Sequence, residues 1–93
     1  MLGQVGRITG AYTLSLPTAY AGMWAMFVST TAAVYSLALQ TATDIFILNG
    51  AALTAGHKVT TDGTIRNRIL VYSPLNGYYE ALSALGVASD GGA

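Results

Sequence analysis

Hydrophobic and polar side chains alternate along much of this chain with a repeat of two residues. The clearest runs are "AYTLSLP", residues 11–17, and "VYSLALQT", residues 34–41. Large hydrophobic residues take every second position in both runs: Tyr12, Leu14 and Leu16 in the first, and Tyr35, Leu37 and Leu39 in the second. Successive side chains of a strand point to opposite faces, so this repeat predicts β-strands with one buried face. Between the two runs, Trp24, Met26 and Val28 share one face of a third predicted strand.

Dipeptides that favour tight turns separate the other apolar runs. Asparagine or aspartate followed by glycine adopts positive backbone φ angles at low cost, and two-residue hairpins require such angles. Three of these dipeptides are predicted to form hairpin turns: Asn49-Gly50, Asp62-Gly63 and Asn76-Gly77. The last apolar segment, 78–85, fits either a strand or a helix that ends at Gly86, and we favour the strand.

The spacing of the turns predicts the fold class. Turn signals recur about every ten residues, and no helix cap is followed by a helical repeat, which is typical of an all-β protein. We expect a single β domain over residues 1–93, built as a compact antiparallel sandwich or a small barrel. The segments at about 1–8 and 87–93 are expected to be flexible arms that neighbouring subunits order.

Residues 19–39 contain no charged side chain, which raises the alternatives of a membrane span and a secretory signal. The segment has the ~20-residue length of a membrane helix, but serine and threonine interrupt it at positions 29–31 and 36. Ala19-Tyr20-Ala21 has the form of a signal cleavage site, but the residues before it are too polar and too β-branched for the apolar core of a signal. Both alternatives stay open, and the two-residue repeat favours strands of a sheet.

The chain carries few charges for a small protein in solution. Four Lys and Arg balance four Asp and Glu, and 9% of the 93 residues are charged, against about 25% in ordinary soluble domains. A neutral chain without a basic cluster does not match nucleic-acid-binding proteins or proteins held at anionic membranes. The low charge predicts instead that other protein covers much of the surface. The chain has no cysteine, so disulfides are excluded.

No motif predicts catalysis or a bound cofactor. His57 is the only histidine, and it is expected in a turn with no nucleophile signature around it. The acidic residues are too far apart in sequence to indicate a metal site, and the glycines of "GQVGRITG" follow no predicted strand. We therefore expect a protein that is not an enzyme and that holds no cofactor or metal.

Aromatic residues indicate protein interfaces. The chain has six tyrosines, one tryptophan and two phenylalanines, more than so short a chain can bury together with its aliphatic residues. Large amphipathic side chains suit interfaces. Arg66 and Arg68 are predicted to share a strand face, which is either a solvated face, as we favour, or a site that recognises phosphate or carboxylate. The candidate interface residues are Tyr20, Trp24, Arg66, Arg68, Tyr78 and Tyr79.

The order of turns and strands over about residues 8 to 86 resembles small β-rich domains of tailed-bacteriophage virion proteins. The segments that carry it are "YTLSLPTAYAGMWAMFVSTTAAVYSLAL", "DIFILNG", "GHKVTTDGT" and "GYYEALSALG". The shared features are a Leu-Pro that ends a strand, a Gly-led apolar strand, an Asn-Gly turn and an aromatic residue near the last strand. That aromatic is often Trp in those domains, and here Tyr78 or Tyr79 stands in its place.

The resemblance implies a non-enzymatic virion protein that decorates and cements the assembled phage capsid. Its partners would be the major capsid protein lattice and other copies of itself, with a trimer favoured, and neither nucleic acid nor a membrane. It would lie on the capsid surface after assembly in the host cytoplasm. If the chain is a complete gene product, its length favours this role. The alternative is a tail fibre, spike or receptor-binding module that contacts the host surface; a small hydrolase that uses His57 has almost no support.

Overall fold

The computed structural model describes residues 4–93, and this part of the chain consists of β-strands joined by loops, with no helix. In chain order the strands are β1 (Gln4–Ile8), β2 (Thr13–Leu16), β3 (Trp24–Ser29), β4 (Ser36–Leu39), β5 (Ile45–Leu48), β6 (Ala51–Ala52), β7 (Val59–Thr61), β8 (Arg68–Tyr72), β9 (Tyr78–Leu85) and β10 (Ala88–Asp90). The all-β prediction is confirmed, and so is the strand over 78–85. Within the described residues, no helix is long and apolar enough to span a membrane.

The strands form two sheets that pack face to face. One sheet has six strands in the order β1-β3-β8-β9-β5-β6, and the other has four in the order β10-β7-β4-β2. Both sheets are mixed, because β1 with β3, β5 with β9 and β2 with β4 are parallel pairs. The expected antiparallel arrangement is therefore wrong in this detail, and the sheets described here do not close into a barrel.

Parallel pairs arise because the chain changes sheet at both ends of the strands, through three loops at one end and four at the other. We call those four, 9–12, 30–35, 62–67 and 86–87, the crossing loops. A strand that leaves its sheet cannot pair with its successor in a hairpin. Among the ten strands of residues 4–93, only β5 with β6 and β8 with β9 are neighbours both in sequence and in a sheet.

Two of the three predicted hairpin turns are confirmed. Asn49 and Gly50, with φ angles of 48° and 90°, join β5 to β6 in a two-residue turn. Gly77, with φ of 87°, ends the loop between the antiparallel strands β8 and β9.

The hairpin at Asp62-Gly63 is wrong, because β7 and β8 lie in different sheets. Gly63 does take a positive φ of 83°, but it turns the chain across the sandwich. The amide of Asp62 donates to the carbonyl oxygen of Val87 at 3.0 Å, and the amide of Thr64 donates to the Asp62 carboxylate at 3.0 Å. The turn is thus held by a neighbouring crossing loop rather than by a partner strand.

The core lies between the two sheets. It is built from the inward-facing side chains of both, and its fully covered members include Tyr35, Leu37, Phe46, Val59, Ile69, Val71 and Tyr79. The rings of Phe46 and Tyr79 are tilted by 36° with centroids 5.9 Å apart. In β3, the buried face consists of Ala25, Phe27 and Ser29, so Trp24, Met26 and Val28 face the other way.

The terminal segments take part in the sheets where they are described. Gln4–Ile8 forms β1, which pairs in parallel with β3, and Ala88–Asp90 forms β10, which pairs with β7. These strands occupy much of the segments predicted as flexible arms. Residues 1–3 of the first arm lie outside the described part of the chain.

Candidate functional site

The outer faces of the two sheets differ in chemistry. The outer face of the four-stranded sheet is made of small polar residues, among them Thr13, Ser15, Ser36, Thr60 and Ser89. The hydroxyls of Ser36 and Thr60 are hydrogen-bonded to each other at 2.9 Å. This face has the composition expected of a sheet surface in contact with water.

The outer face of the six-stranded sheet is instead apolar. We call it the apolar face, and its members are Val5, Trp24, Met26, Val28, Leu70, Tyr72, Leu82 and Ala84. Val5, Met26, Leu70 and Leu82 form one continuous row across four neighbouring strands, because each lies opposite the next in the strand register. Val5, Trp24 and Leu82 are 68%, 42% and 40% exposed. No other layer of the described chain covers this row.

Two hollows indent the apolar face. One of about 470 Å³ lies where β3 and β8 meet the loops that flank them, between Trp24, Leu70 and Tyr72. The other, of about 430 Å³, lies nearer the crossing loops, between Met26, Arg68 and Leu82. A flat sheet surface with apolar hollows offers places for the side chains of a protein partner.

Charged groups lie at opposite ends of the apolar face. Arg7 and Arg68 flank Val28 at the end near the crossing loops. Glu80 lies beside Tyr72, about 13 Å along the strands by the usual rise per residue. The Tyr72 hydroxyl donates to Glu80 Oε2 at 3.0 Å, and this hydrogen bond raises the pKa of Tyr72 above its ordinary value. Among residues 4–93 the one close contact between a basic and an acidic side chain is that of His57 with Asp90, so Arg68 and Glu80 have no charged partner in that part of the chain.

A second apolar surface lies at the crossing loops. Each of the four loops contributes one exposed large hydrophobic residue to what we call the crossing-loop cluster: Tyr12, Val34, Ile65 and Val87, which are 41%, 47%, 52% and 62% exposed. Backbone hydrogen bonds hold these loops to the segments beside them: Ser36 N, at the start of β4, donates to the Tyr12 carbonyl, and Asp62 N donates to the Val87 carbonyl. The cluster is therefore carried by loops that are fixed to one another.

The predicted interface residues are found in several different places. Trp24 and Arg68 lie on the apolar face, and Tyr78 is half-buried on the same side of β9. Tyr20 is exposed on the loop between β2 and β3. Arg66 is exposed on a crossing loop.

Two of these predictions need correction. Tyr79 is fully buried, and its hydroxyl donates to the Pro17 carbonyl at 2.7 Å, so it belongs to the core. Arg66 and Arg68 do not share a strand face, because Arg66 precedes β8 in a turn with φ of 65° and its amide donates to the Ser29 carbonyl.

Most of the apolar face, including Val5, Leu70 and Leu82, was not predicted from the sequence. A signal was present in "WAMFV", residues 24–28, where hydrophobic residues occupy both faces of one strand. A strand of a two-layer fold needs only one apolar face, so a strand that is apolar on both indicates a surface covered by something else.

His57 takes part in a structural contact near the carboxyl end. Its Nδ1 lies 3.0 and 3.1 Å from the two oxygens of the Asp90 carboxylate, which ties β10 to the loop before β7. The amide of Gly92 and the His57 ring, both hydrogen-bonded to that carboxylate, lower the pKa of Asp90. Across residues 4–93, no three His, Cys, Asp or Glu side chains are grouped as metal ligands would be.

Comparison with known proteins gives no match: no family model, no curated protein and no solved structure is significantly similar to this chain. What the protein binds must therefore be inferred from its own surfaces.

Proposed function

We propose that the protein is a non-enzymatic structural subunit that binds an assembled protein shell, and that the shell is a tailed-bacteriophage capsid, which it decorates and cements. The observation that supports this is the presence of two separate apolar surfaces on one small chain, the apolar face and the crossing-loop cluster. Exposed apolar surface on this scale indicates contact with other protein. Two such surfaces allow a subunit to contact both the shell and its own copies.

The crossing-loop cluster is the surface that suits the shell. Its four side chains project from loops at one end of the sandwich, where a subunit can approach a lattice end-on. The loops are braced against one another, so binding orders few additional groups and loses little conformational entropy. The order of turns and strands, which resembles phage virion domains, gives the shell its proposed identity.

The mechanism needs no chemical step. A subunit that binds the assembled shell and not its separated components stabilises the shell by its binding free energy. For one site this amounts to about 2.7 kcal/mol when the free subunit is at 100 times its dissociation constant.

The test is an add-back experiment on shells of the phage that encodes the chain, assembled without it. Purified protein should bind those shells and raise the temperature at which they break, and the increase should grow with subunit concentration until the sites are saturated. Val87→Lys should abolish binding, because it replaces the most exposed hydrophobic side chain of the cluster, 62% exposed, with a charge. Ser15→Lys is the matched control on the polar outer face of the other sheet, and it should bind as the parent does.

Other outcomes would overturn the proposal. If the protein ignores the shell and binds host cells or their surface glycans, the receptor-binding role replaces it. His57→Ala should leave shell binding unchanged, because His57 contacts Asp90 and is remote from the proposed shell contact. A catalytic turnover that His57→Ala removes would overturn the non-enzymatic role.

A further inference from the structure

We propose that the apolar face is the binding site for a second copy of this chain, and that two copies pair through it face to face about a two-fold axis. The axis lies between the copies and runs across the strands, so it exchanges the two ends of the face. The pairing rests on the apolar face alone and does not require the partner shell to be a capsid.

Charge complementarity favours a second copy as the occupant. The two-fold rotation places the arginine end of one face over the glutamate end of the other, which brings Arg68 of each copy towards Glu80 of its partner. Neither side chain has a charged partner among residues 4–93. Because a two-fold interface repeats every contact, the pairing forms two such ion pairs at once.

The shape of the apolar face also fits the same face of a second copy. Trp24, which is 42% exposed, lies at the end that carries Glu80, since it is opposite Tyr72 in the strand register. The hollow of about 430 Å³ lies at the other end, beside Arg68. The rotation that pairs Arg68 with Glu80 therefore also places Trp24 of each copy over the hollow of the other. A tryptophan that fills a pocket of its partner is typical of the residues that dominate binding energy.

Pairing of the two copies buries the apolar row that is otherwise exposed to solvent. Val5, Met26, Leu70 and Leu82 would lie at the centre of a stack of sheets about 10 Å apart, as in ordinary sheet packing. The two crossing-loop clusters would remain accessible at opposite ends of the dimer. A dimer would then present one such cluster at each end, facing in opposite directions.

The experiment measures the mass of the purified full chain by sedimentation equilibrium over a range of concentrations. We expect a dimer, twice the 9.6 kDa mass of one chain. Leu82→Lys should give a monomer, because it places an unpaired charge in the row that the pairing buries. Val87→Lys, an equivalent change in the crossing-loop cluster, should remain a dimer. Circular dichroism of each variant confirms that the fold is kept.

A charge exchange tests the orientation. Arg68→Glu and Glu80→Arg should each raise the dimer dissociation constant by about tenfold or more, because each puts like charges together at two symmetric places. The double variant, Arg68→Glu with Glu80→Arg, should restore most of the lost affinity. Lys58→Glu changes a charge outside the face and should leave the dissociation constant unchanged.

Several results would overturn the pairing. A parent protein that is monomeric up to about 1 mM, where association is weaker than about 4 kcal/mol, would exclude it. A trimer, which the resemblance to phage domains implies, would also exclude this closed two-fold contact, as would single and double charge variants that are equally weak. A Val87→Lys variant that still binds the shell would overturn the proposed shell contact and leave the pairing intact, so the failure of each proposal is recognised separately.

Discussion

Gly86 occupies a position where neither the backbone nor the space around it accepts a side chain. Its φ is 82°, in the left-handed region. A Cβ atom there would lie 2.5 Å from Asn67 Nδ2 and 2.9 Å from Thr64 Cβ. Both neighbours belong to the crossing loop 62–67, so this glycine allows two crossing loops to pack together.

Gly86→Ala should destabilise the protein more than Gly77→Ala does. Gly77 has a similar φ of 87°, but a Cβ there meets nothing within 4 Å. Its alanine variant should cost about 1–2 kcal/mol for the left-handed backbone alone. At Gly86 the collision should add about 1–3 kcal/mol. Urea unfolding of both variants measures the difference, and equal losses would contradict the close packing of these loops.

One side chain at the turn between β5 and β6, that of Asn49, is hydrogen-bonded to β9. Asn49 Nδ2 donates to Ser83 Oγ at 3.0 Å, and the amide of Ser83 donates to Asn49 Oδ1 at 3.1 Å. The side chain thus extends the pairing of β5 with β9 beyond the residue where β5 ends. Asn49 also has a positive φ of 48°, which asparagine adopts more easily than most residues.

Two substitutions at Asn49 separate these roles. Asn49→Gly keeps the backbone conformation accessible but removes both hydrogen bonds, and it should cost about 1 kcal/mol. Asn49→Ala removes the same bonds and also strains the backbone, so it should cost about 1–2 kcal/mol more. Chemical denaturation gives both values. If Asn49→Gly unfolds like the parent, the side chain does not fasten the hairpin.

Strands could be predicted from sequence where burial of one face imposes the two-residue repeat. The buried pair Tyr35 and Leu37 carries that repeat, whatever strand lies beside it. Which strands lie next to each other in a sheet could not be predicted in the same way. Asp62-Gly63 can adopt the positive φ of any sharp turn, so the dipeptide does not show which strands the turn joins. The hydrogen bond from Asp62 to Val87, which holds the turn between the two sheets, involves a segment distant in sequence.

The candidate interface was predictable only in part for a related reason. Trp24 and Arg68 could be selected by residue type, because aromatic and arginine side chains are common at interfaces. Leu70 and Leu82 look like core residues in the sequence. Which side of their strands faces outward depends on where the second sheet packs, and that is a property of the complete fold.

The core of the whole molecule holds two tyrosines that resist ionisation. Burial raises the pKa of Tyr35 to about 12, and burial together with the nearby Asp44 charge raises the pKa of Tyr79 to about 12. The folded state favours the neutral form of both. Their contribution to stability is therefore complete below pH 10, the ordinary tyrosine pKa, and is lost as the pH rises from 10 towards 12.

An alkaline titration followed by near-ultraviolet absorbance should show this loss. At least two of the six tyrosines should ionise late, together with unfolding of the sheets. Tyr35→Phe should remove one of the late-ionising groups, whereas Tyr20→Phe, at an exposed loop position, should leave both. A single smooth titration of every tyrosine near pH 10, with the protein still folded, would contradict the described core.

The crossing loops also determine how this molecule can reach its folded state. Successive segments are divided between the two sheets, so neither sheet is encoded by one continuous stretch of chain. β3 and β5 are synthesised before residue 49, but β8 and β9, which lie between them in the sheet, span residues 68–85. During synthesis the first sixty residues would have no complete sheet on which to condense. Pairings between distant segments fold slowly, on the millisecond to second scale, and the unpaired apolar strands are exposed meanwhile to aggregation and to chaperones.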